Sequence, residues 1–408
     1  MLPKRISSVK DSPTLAISAK AKQMRASGIG VVDFGAGQPD FDVPEHIKQA
    51  ARQAIALTGS GKYTAADGMM ELKLAIIKKF SKDNGIKYSD RQIIISPGAK
   101  FCLFAIIQAA VDDGDEVVIP KPYWVSYPEM VRMAGGKPVY ARTLPGSGFK
   151  LRASEVEKVI TDKTRLIIIN SPNNPTGAVC DRRQLKKIMQ LAADRTIHVI
   201  SDEIYEKLIY ENYRHVSPAS FSPEAKQLVF TVNGMSKSHA VPGWRLGYAA
   251  GPEAFMRAAA RLQSHSTSNP SSIVQMAFHK TLHDEKHLEH MRKEFQKRRD
   301  FIVERLNEIG FECSKPMGAF YVFPRLPNHF RSSEKFCTDL LEDAHVAATP
   351  GSAFGMDGFI RISYAASMKQ IDDGMDSIEN FVSTASKKTK RRAGNIAGSA
   401  NSKKENRK

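Results

Sequence analysis

The sequence has 408 residues, 42% of them hydrophobic and 25% charged, a balance that sets aside a disordered or fibrous chain. The length favours two domains, or one large α/β domain with a smaller partner, and no apolar run is long enough to cross a bilayer. The formal net charge of +17 raises nucleic acid or an anionic surface as a partner, but nine Lys or Arg and a single Glu are concentrated in the last stretch, KKTKRRAGNIAGSANSKKENRK.

The N-terminal MLPKRISSVKDSPTLAISAK has no apolar core, so a secretory leader is not expected. Cys102, Cys180, Cys313 and Cys337 are not spaced as metal ligands, and four thiols suit a reducing, cytoplasmic setting. FGAGQPDFDVPEHI follows, a loop running into a helix start. From there short β-branched runs alternate with longer amphipathic stretches, the rhythm of βα units in a mostly parallel sheet. Strands are expected at 92–95, 116–119, 138–141, 166–169, 197–200, 228–232 and 246–250. Helices are expected at 70–81, 101–111, 183–193 and 284–309. Beyond residue 304 the pattern turns to GFECSKPMGAFYVFPRL and GFIRISYA, strands around helices in a smaller α+β domain. The expected division is an arm and part of the small domain over 1–47, a large domain over 48–290, a small domain over 291–384 and a disordered basic tail over 385–408. For that tail a solvated segment is favoured over a nucleic-acid contact.

Five of the strands run into loops with a common character: SPGAK, PKPYW, NSPNNPTG, SDEIY and NGMSK. In open α/β sheets ligands bind at the carboxyl ends of strands, so these loops converge on one site. A lysine in a pocket beside another cation has a depressed pKa and can form a Schiff base, which suits Lys237 with Arg245 nearby. The planar fork of Arg245 can clamp a phosphate. Asp202 ends a buried-looking strand and either caps a helix over EIYEKLIY or pairs with a protonated ring nitrogen. Tyr205 can face the same way. Asn174 can donate and accept from a turn of Asn, Pro and Gly. Gly98, Ala99 and Lys100 offer amides at a helix start, a ready anion site. Trp124 either stacks on a planar ring or packs in the core. Arg361 in an apolar strand needs an anion, either a substrate carboxylate or a structural acid. An amine, a phosphate clamp, a carboxylate for a ring nitrogen, a stacking aromatic and a carboxylate-binding arginine together match pyridoxal phosphate chemistry.

With SPNNPTGAV, SDEIYEKLIY, SKSHAVPGWRLGYAAGP, PYWVSYPEMVRMAGG and GAFYVF, the chain resembles the class I pyridoxal-phosphate-dependent aminotransferases of fold type I. Within them it is most similar to the bacterial beta-subgroup aspartate aminotransferases, some of which also act on prephenate. The resemblance spans roughly Ser12 to Met368. It implies a large domain with a seven-stranded, mostly parallel sheet, a smaller α+β domain and pyridoxal 5'-phosphate as cofactor. Lys237 would carry the cofactor and shuttle a proton, Asp202 would hold the ring nitrogen, and Tyr205 and Asn174 the phenolic oxygen. Trp124 would stack on the ring, while Arg245, Ser236 and the amides of Gly98, Ala99 and Lys100 would hold the phosphate. Tyr63 resembles a tyrosine that reaches the phosphate of a neighbouring subunit, which implies a homodimer with shared sites. Arg361 and Gly37 would bind the α-carboxylate, with Trp124 and Asn174 also lining the substrate site.

Two positions depart from relatives. Gly234 stands where many have a serine, and Ser264 where animal-type enzymes have an arginine for the distal carboxylate. The beta subgroup substitutes a lysine, here Lys100, supported by polar residues matching Ser12 and Thr14. The implied reaction is ping-pong transamination of L-aspartate and 2-oxoglutarate to oxaloacetate and L-glutamate. Prephenate transamination, another class I aminotransferase activity or a pyridoxal-phosphate β-lyase are the alternatives. No metal and no membrane partner is expected.

Overall fold

The structure, a computed structural model, describes the backbone of residues 7, 9 and 13–405 and the side chains of 7, 9 and 17–386. The chain divides into two units. Among the described residues the first comprises 7, 9, 37–297 and 316–321, and the second 13–36, 298–315 and 322–405. The expected limits at 47 and 290 differ from these. The second limit is hidden because the division falls inside one uninterrupted helix, Lys286–Ile309, whose periodicity carries no mark of it.

The first unit is built on a seven-stranded sheet. Its strands are β1 (Ile93–Ser96), β2 (Glu116–Lys121), β3 (Lys137–Arg142), β4 (Thr164–Asn170), β5 (His198–Asp202), β6 (Val229–Gly234) and β7 (Gly247–Ala250). Their spatial order is β1-β7-β6-β5-β4-β2-β3. The pairs from β6 through β3 are parallel, and β7 is antiparallel to both its neighbours. All seven expected strands form. They do so because isoleucine and valine fit a pleated surface covered on both faces, where a continuous apolar run can bury every residue. Alternate residues enter opposite cores, as the pleat requires. Ile93, Ile95, Ile167 and Ile169 join Leu185, Ile188 and Leu72 on one side. Ile94, Leu166 and Ile168 join Leu103, Ile106 and Met130 on the other.

The helices follow the expected ranges closely. Ala99–Ala110 starts two residues earlier than its apolar run, because Gly98 with φ 91° ends the strand loop and frees the next residues to turn. Arg182–Asp194 is capped by Asp181, whose side chain accepts from the amides of Arg183 and Gln184. Met70–Lys79 continues into a π-turn, Phe80–Asn84.

In the second unit Val32–Asp33 pairs in parallel with Val346–Ala347, and Thr349–Pro350 pairs antiparallel with strand Ile360–Ser363. Phe34, Phe336, Phe354 and Tyr364 are fully buried there. Arg305 is ion-paired with Asp372, Asp376 and Glu379, which lie along the face of the last helix. That helix runs Met368–Glu405, through most of the stretch expected as a disordered tail. Lys, Arg, Ala and Glu are good helix formers, so a helix nucleated by its packed first half extends into polar sequence.

Candidate active site

The carboxyl ends of β1, β4, β5 and β6 and the loop after β2 carry the expected residues in the first unit. Asp202 is the last residue of β5 and only 4% exposed. Its Oδ2 accepts from the Tyr127 hydroxyl at 2.6 Å and its Oδ1 from the Ile204 amide at 3.2 Å. Both donors are neutral. Burial therefore dominates and pushes the Asp202 carboxyl up to about 6, with Tyr127 and the Lys237 charge working against it. No helix follows Asp202. Residues 204–207 form a turn, so Asp202 caps no helix there.

Lys237 lies in the turn 235–240 that follows β6. Its ammonium donates to the Gly37 carbonyl and sits 5.9 Å from the Phe320 ring. Ser236 beside it is buried. The Tyr205 hydroxyl shares a hydrogen bond of 2.9 Å with that of Tyr321, and the two rings meet edge to face. Asn174 is buried, its amide donating to Asn170 Oδ1 at 2.8 Å. Asn170 Nδ2 in turn donates to the Asp202 carbonyl at 3.1 Å. Asn170 thus ties the NSPNNPTG loop to the strand end that presents Asp202.

Arg245 adopts φ 54° and ψ 56° and lays its guanidinium against the loop before helix Ala99–Ala110. It donates to the carbonyls of Pro242 at 3.0 Å and Pro97 at 3.3 Å. A Cβ on Gly98 would lie 2.5 Å from Arg245 Nη2, so only glycine lets the fork sit over the helix amides. The free amides of the first turn and the arginine form a cradle for an anion. Lys100 is 4.9 Å from the Trp124 ring. Burial pulls its ammonium down from its ordinary value, and the Arg245 charge adds to this.

Gly234 has a structural reason. It pairs with Gly247 across β6 and β7, and a Cβ on it would meet the Leu246 carbonyl at 3.0 Å and Gly247 Cα at 3.1 Å. A serine is not readily accommodated at that point.

The remaining expected residues are placed as follows. Tyr63 is 92% exposed. Ser264 is exposed at a helix end, its hydroxyl donating to the Arg261 carbonyl at 2.8 Å. Arg361 belongs to the second unit, where it is buried and donates to the Gly35 carbonyl at 2.7 Å. Ser12 lies outside the described residues, and Thr14 is described only as part of helix Pro13–Ala26. Sequence reasoning missed Tyr127, Asn170 and Tyr321. Asn170 carried a signal, a polar residue closing an apolar strand. The two tyrosines read as core aromatics.

The residues fit pyridoxal phosphate. The buried Asp202 carboxyl, whose two hydrogen-bond donors are neutral, suits a cationic ring nitrogen, the Gly98–Arg245 cradle suits the phosphate, and the Lys237 amine suits the aldehyde. The family described as "Aminotransferase class I and II" matches residues 29–378. The chain is 45% identical over 385 residues to a "Probable aspartate/prephenate aminotransferase" of Aquifex aeolicus, covering 93% of this chain and 98% of that protein. It is 44% identical over 388 residues to an aspartate aminotransferase of Geobacillus stearothermophilus, with coverage of 93% and 98%. Among solved structures, aspartate aminotransferase from Thermus thermophilus with maleate superposes with a TM-score of 0.90 at 40% identity, covering 93% of this chain and 99% of that one. The family match over residues 29–378, together with these relatives, places the chain in the class I and II aminotransferases.

Proposed function

We propose that the protein transaminates a dicarboxylic amino acid, converting L-aspartate and 2-oxoglutarate to oxaloacetate and L-glutamate in ping-pong order. The observation that carries the reading is that Asp202 ends β5 and Lys237 lies in the turn after its parallel neighbour β6, close enough for the lysine charge to act on the carboxyl. Enzymes of this family act on amino and keto acids with pyridoxal 5'-phosphate. The cofactor supplies an electron-withdrawing ring that takes up negative charge developing at the substrate α-carbon.

The chain's own residues supply the rest. Lys237 would hold the cofactor's aldehyde and move a proton at the substrate α-carbon. Asp202, held by Tyr127, would keep a proton on the ring nitrogen. Tyr205 and Asn174 would orient the ring's oxygen, and Trp124 would cover its face. Arg245, Ser236 and the amides of Ala99 and Lys100 would fix the phosphate. Arg361 and Gly37 would bind the α-carboxylate. Lys100 would bind the distal carboxylate, with Ser12, Thr14 and Ser264 contributing polarity.

The working form is a homodimer. Tyr63, Ile55, Met70 and Leu74 are large, apolar or amphipathic and 49–92% exposed, which supports a covered face and a Tyr63 that serves the partner's phosphate. The four cysteines are free thiols, in keeping with the cytoplasm, and among the described residues no helix is long and apolar enough to cross a membrane.

Prephenate as amino acceptor is the second reading, favoured by the name of the Aquifex relative. A panel of amino donors against 2-oxoglutarate, oxaloacetate and prephenate separates the two. Spectral conversion of the bound cofactor by aspartate and glutamate is expected. No response to either donor rejects the dicarboxylate reading. Lys237→Ala is expected to abolish turnover and the cofactor's visible band, and an unchanged band would remove Lys237 from the anchor role.

A further inference from the structure

The turn that presents Asp202 and Tyr205 has a second face. Glu203 and Glu206 each follow one of those residues, and both are buried, Glu203 completely. Glu203 Oε1 accepts from the hydroxyls of Ser201 and Ser217, each at 2.8 Å. Its Oε2 accepts from the Asn84 side-chain amide at 3.2 Å and faces His215 Nε2 at 2.8 Å. Glu206 accepts from the same Asn84 amide at 2.9 Å and is ion-paired with the buried Lys79 ammonium. Lys79 also donates to Asn84 Oδ1 at 2.7 Å.

Glu203, Glu206 and His215 bring three ligand atoms within 4.8 Å of one another, the spacing of a cation site. Here the cationic role is already filled by Lys79, and Asn84, Ser201 and Ser217 occupy the carboxylate lone pairs. His215 is the member left over: it stands at ion-pair distance from Glu203, but neither ring nitrogen makes a hydrogen bond of normal geometry.

Its charge depends on His215. Two carboxylates against one ammonium leave a net negative charge unless the imidazole is protonated. Burial pushes the imidazole down, but Glu203 and Glu206 outweigh that and hold it above its ordinary value, with Lys79 opposing them. The remaining charged groups nearby largely pair among themselves, Lys207 with Asp83 at 2.8 Å and with Glu285 at 2.7 Å. The phenols of Tyr88 and Tyr248 face the block with raised values set chiefly by burial. The Glu203 charge reaches Asp202, where it disfavours ionisation.

We infer that His215 is a positioning residue for the reaction, the cation that fixes Glu203 and cancels a buried negative charge behind Asp202 and Tyr205. The inference rests on the aminotransferase reading above. Its test uses the holoenzyme of His215→Phe and His215→Gln. Three quantities are read: the pH midpoint of the cofactor's visible band, the affinity of the apoprotein for pyridoxal phosphate, and kcat and KM for aspartate. Loss of the cation leaves the site more negative, so the midpoint is expected to rise by about one pH unit. Affinity for the phosphate-bearing cofactor and kcat are each expected to fall about tenfold, with KM changed less than about twofold. Variants that unfold more readily yet keep the wild-type midpoint and kcat overturn the inference and reduce His215 to a structural role. Where His215→Phe fails to fold, His215→Gln decides on the same readouts. A wild-type protein with no cofactor band overturns both readings, whereas a normal wild type with unmoved variants overturns only this one.

Discussion

Asp202 makes the site's chemistry measurable without substrate. Its folded pKa of about 6 lies above the ordinary 3.8, so the folded chain binds that proton more tightly than the unfolded chain does. The stability this contributes is full below about pH 4 and is lost as pH rises through about 6. Asp202→Asn removes the burdened charge. The variant is expected to stabilise the cofactor-free protein by on the order of 2 kcal/mol at pH 8 and by almost nothing at pH 4, measured by urea unfolding. The same variant is expected to lose most of its turnover once loaded, because the amide cannot hold a proton on the ring nitrogen. Equal effects on stability at both pH values would contradict the buried, ionising carboxyl. Gly98→Ala tests the phosphate cradle. The atom it would strike is the mobile end of Arg245, which can move aside, and the left-handed φ of 91° adds local strain for any side chain there. Cofactor affinity, read by titrating the apoprotein, is expected to fall about tenfold or more, at ~1.4 kcal/mol per decade.

At the scale of elements, the block behind β5 ties the π-turn Phe80–Asn84 to the turn after Asp202. Burial pushes the Glu206 carboxyl up, but Lys79 and His215 outweigh it and bring it down to about 2. Its stabilising contribution is therefore present above its ordinary 4.5 and is lost as pH falls toward 2. Lys79→Met strands that carboxylate in the interior and is expected to cost about 3–5 kcal/mol at neutral pH. Adding Glu206→Gln is expected to recover most of the loss, and a strictly additive double variant would deny the coupling. The elements themselves were legible in the sequence because isoleucine and valine runs punctuated by Gly, Pro and Asn declare buried strands and their ends. Lys237, Asp202 and Arg245 stood out because charged residues on such ends need a reason. Tyr127 and Tyr321 did not, since a tyrosine among apolar neighbours has the same local pattern whether its hydroxyl meets a carboxylate or a phenol. Lys79 read as one more lysine on an amphipathic helix, and only the fold shows it buried. Gly234 looked like a lost contact until the pairing with Gly247 supplied its cause.

At the scale of the whole molecule, two of the expected contributors differ from the rest in where the chain carries them. Arg361 is carried by the second unit, and Tyr63 faces outward. The proposed homodimer would account for Tyr63. Light scattering is expected to give twice the chain mass, and Tyr63→Phe is expected to weaken cofactor binding without changing that mass. Mixed dimers of Tyr63→Phe and Lys237→Ala subunits sharpen the test. Both lesions then fall in one of the two sites, so activity is expected to return to about half that of an unmodified dimer. Mixed dimers no more active than the parents would place Tyr63 outside any partner's site. The sequence could not show which segments join which unit, because residues 13–36 and 322–405 meet only after folding.

The reversal of β7 has a consequence for how Lys237 and Arg245 are spaced. A parallel strand after β6 would need a crossover of a dozen or more residues, delivering the chain to the opposite rim of the sheet. Because β7 runs back, its first residue, Gly247, stands level with the last of β6, Gly234. The link over 235–246 begins and ends at the ligand rim, so the amine and the guanidinium are both carried by that one span. Their separation therefore depends on its length, and a one-residue insertion between Ala240 and Pro242 is expected to misalign the cofactor's two ends while leaving the sheet intact.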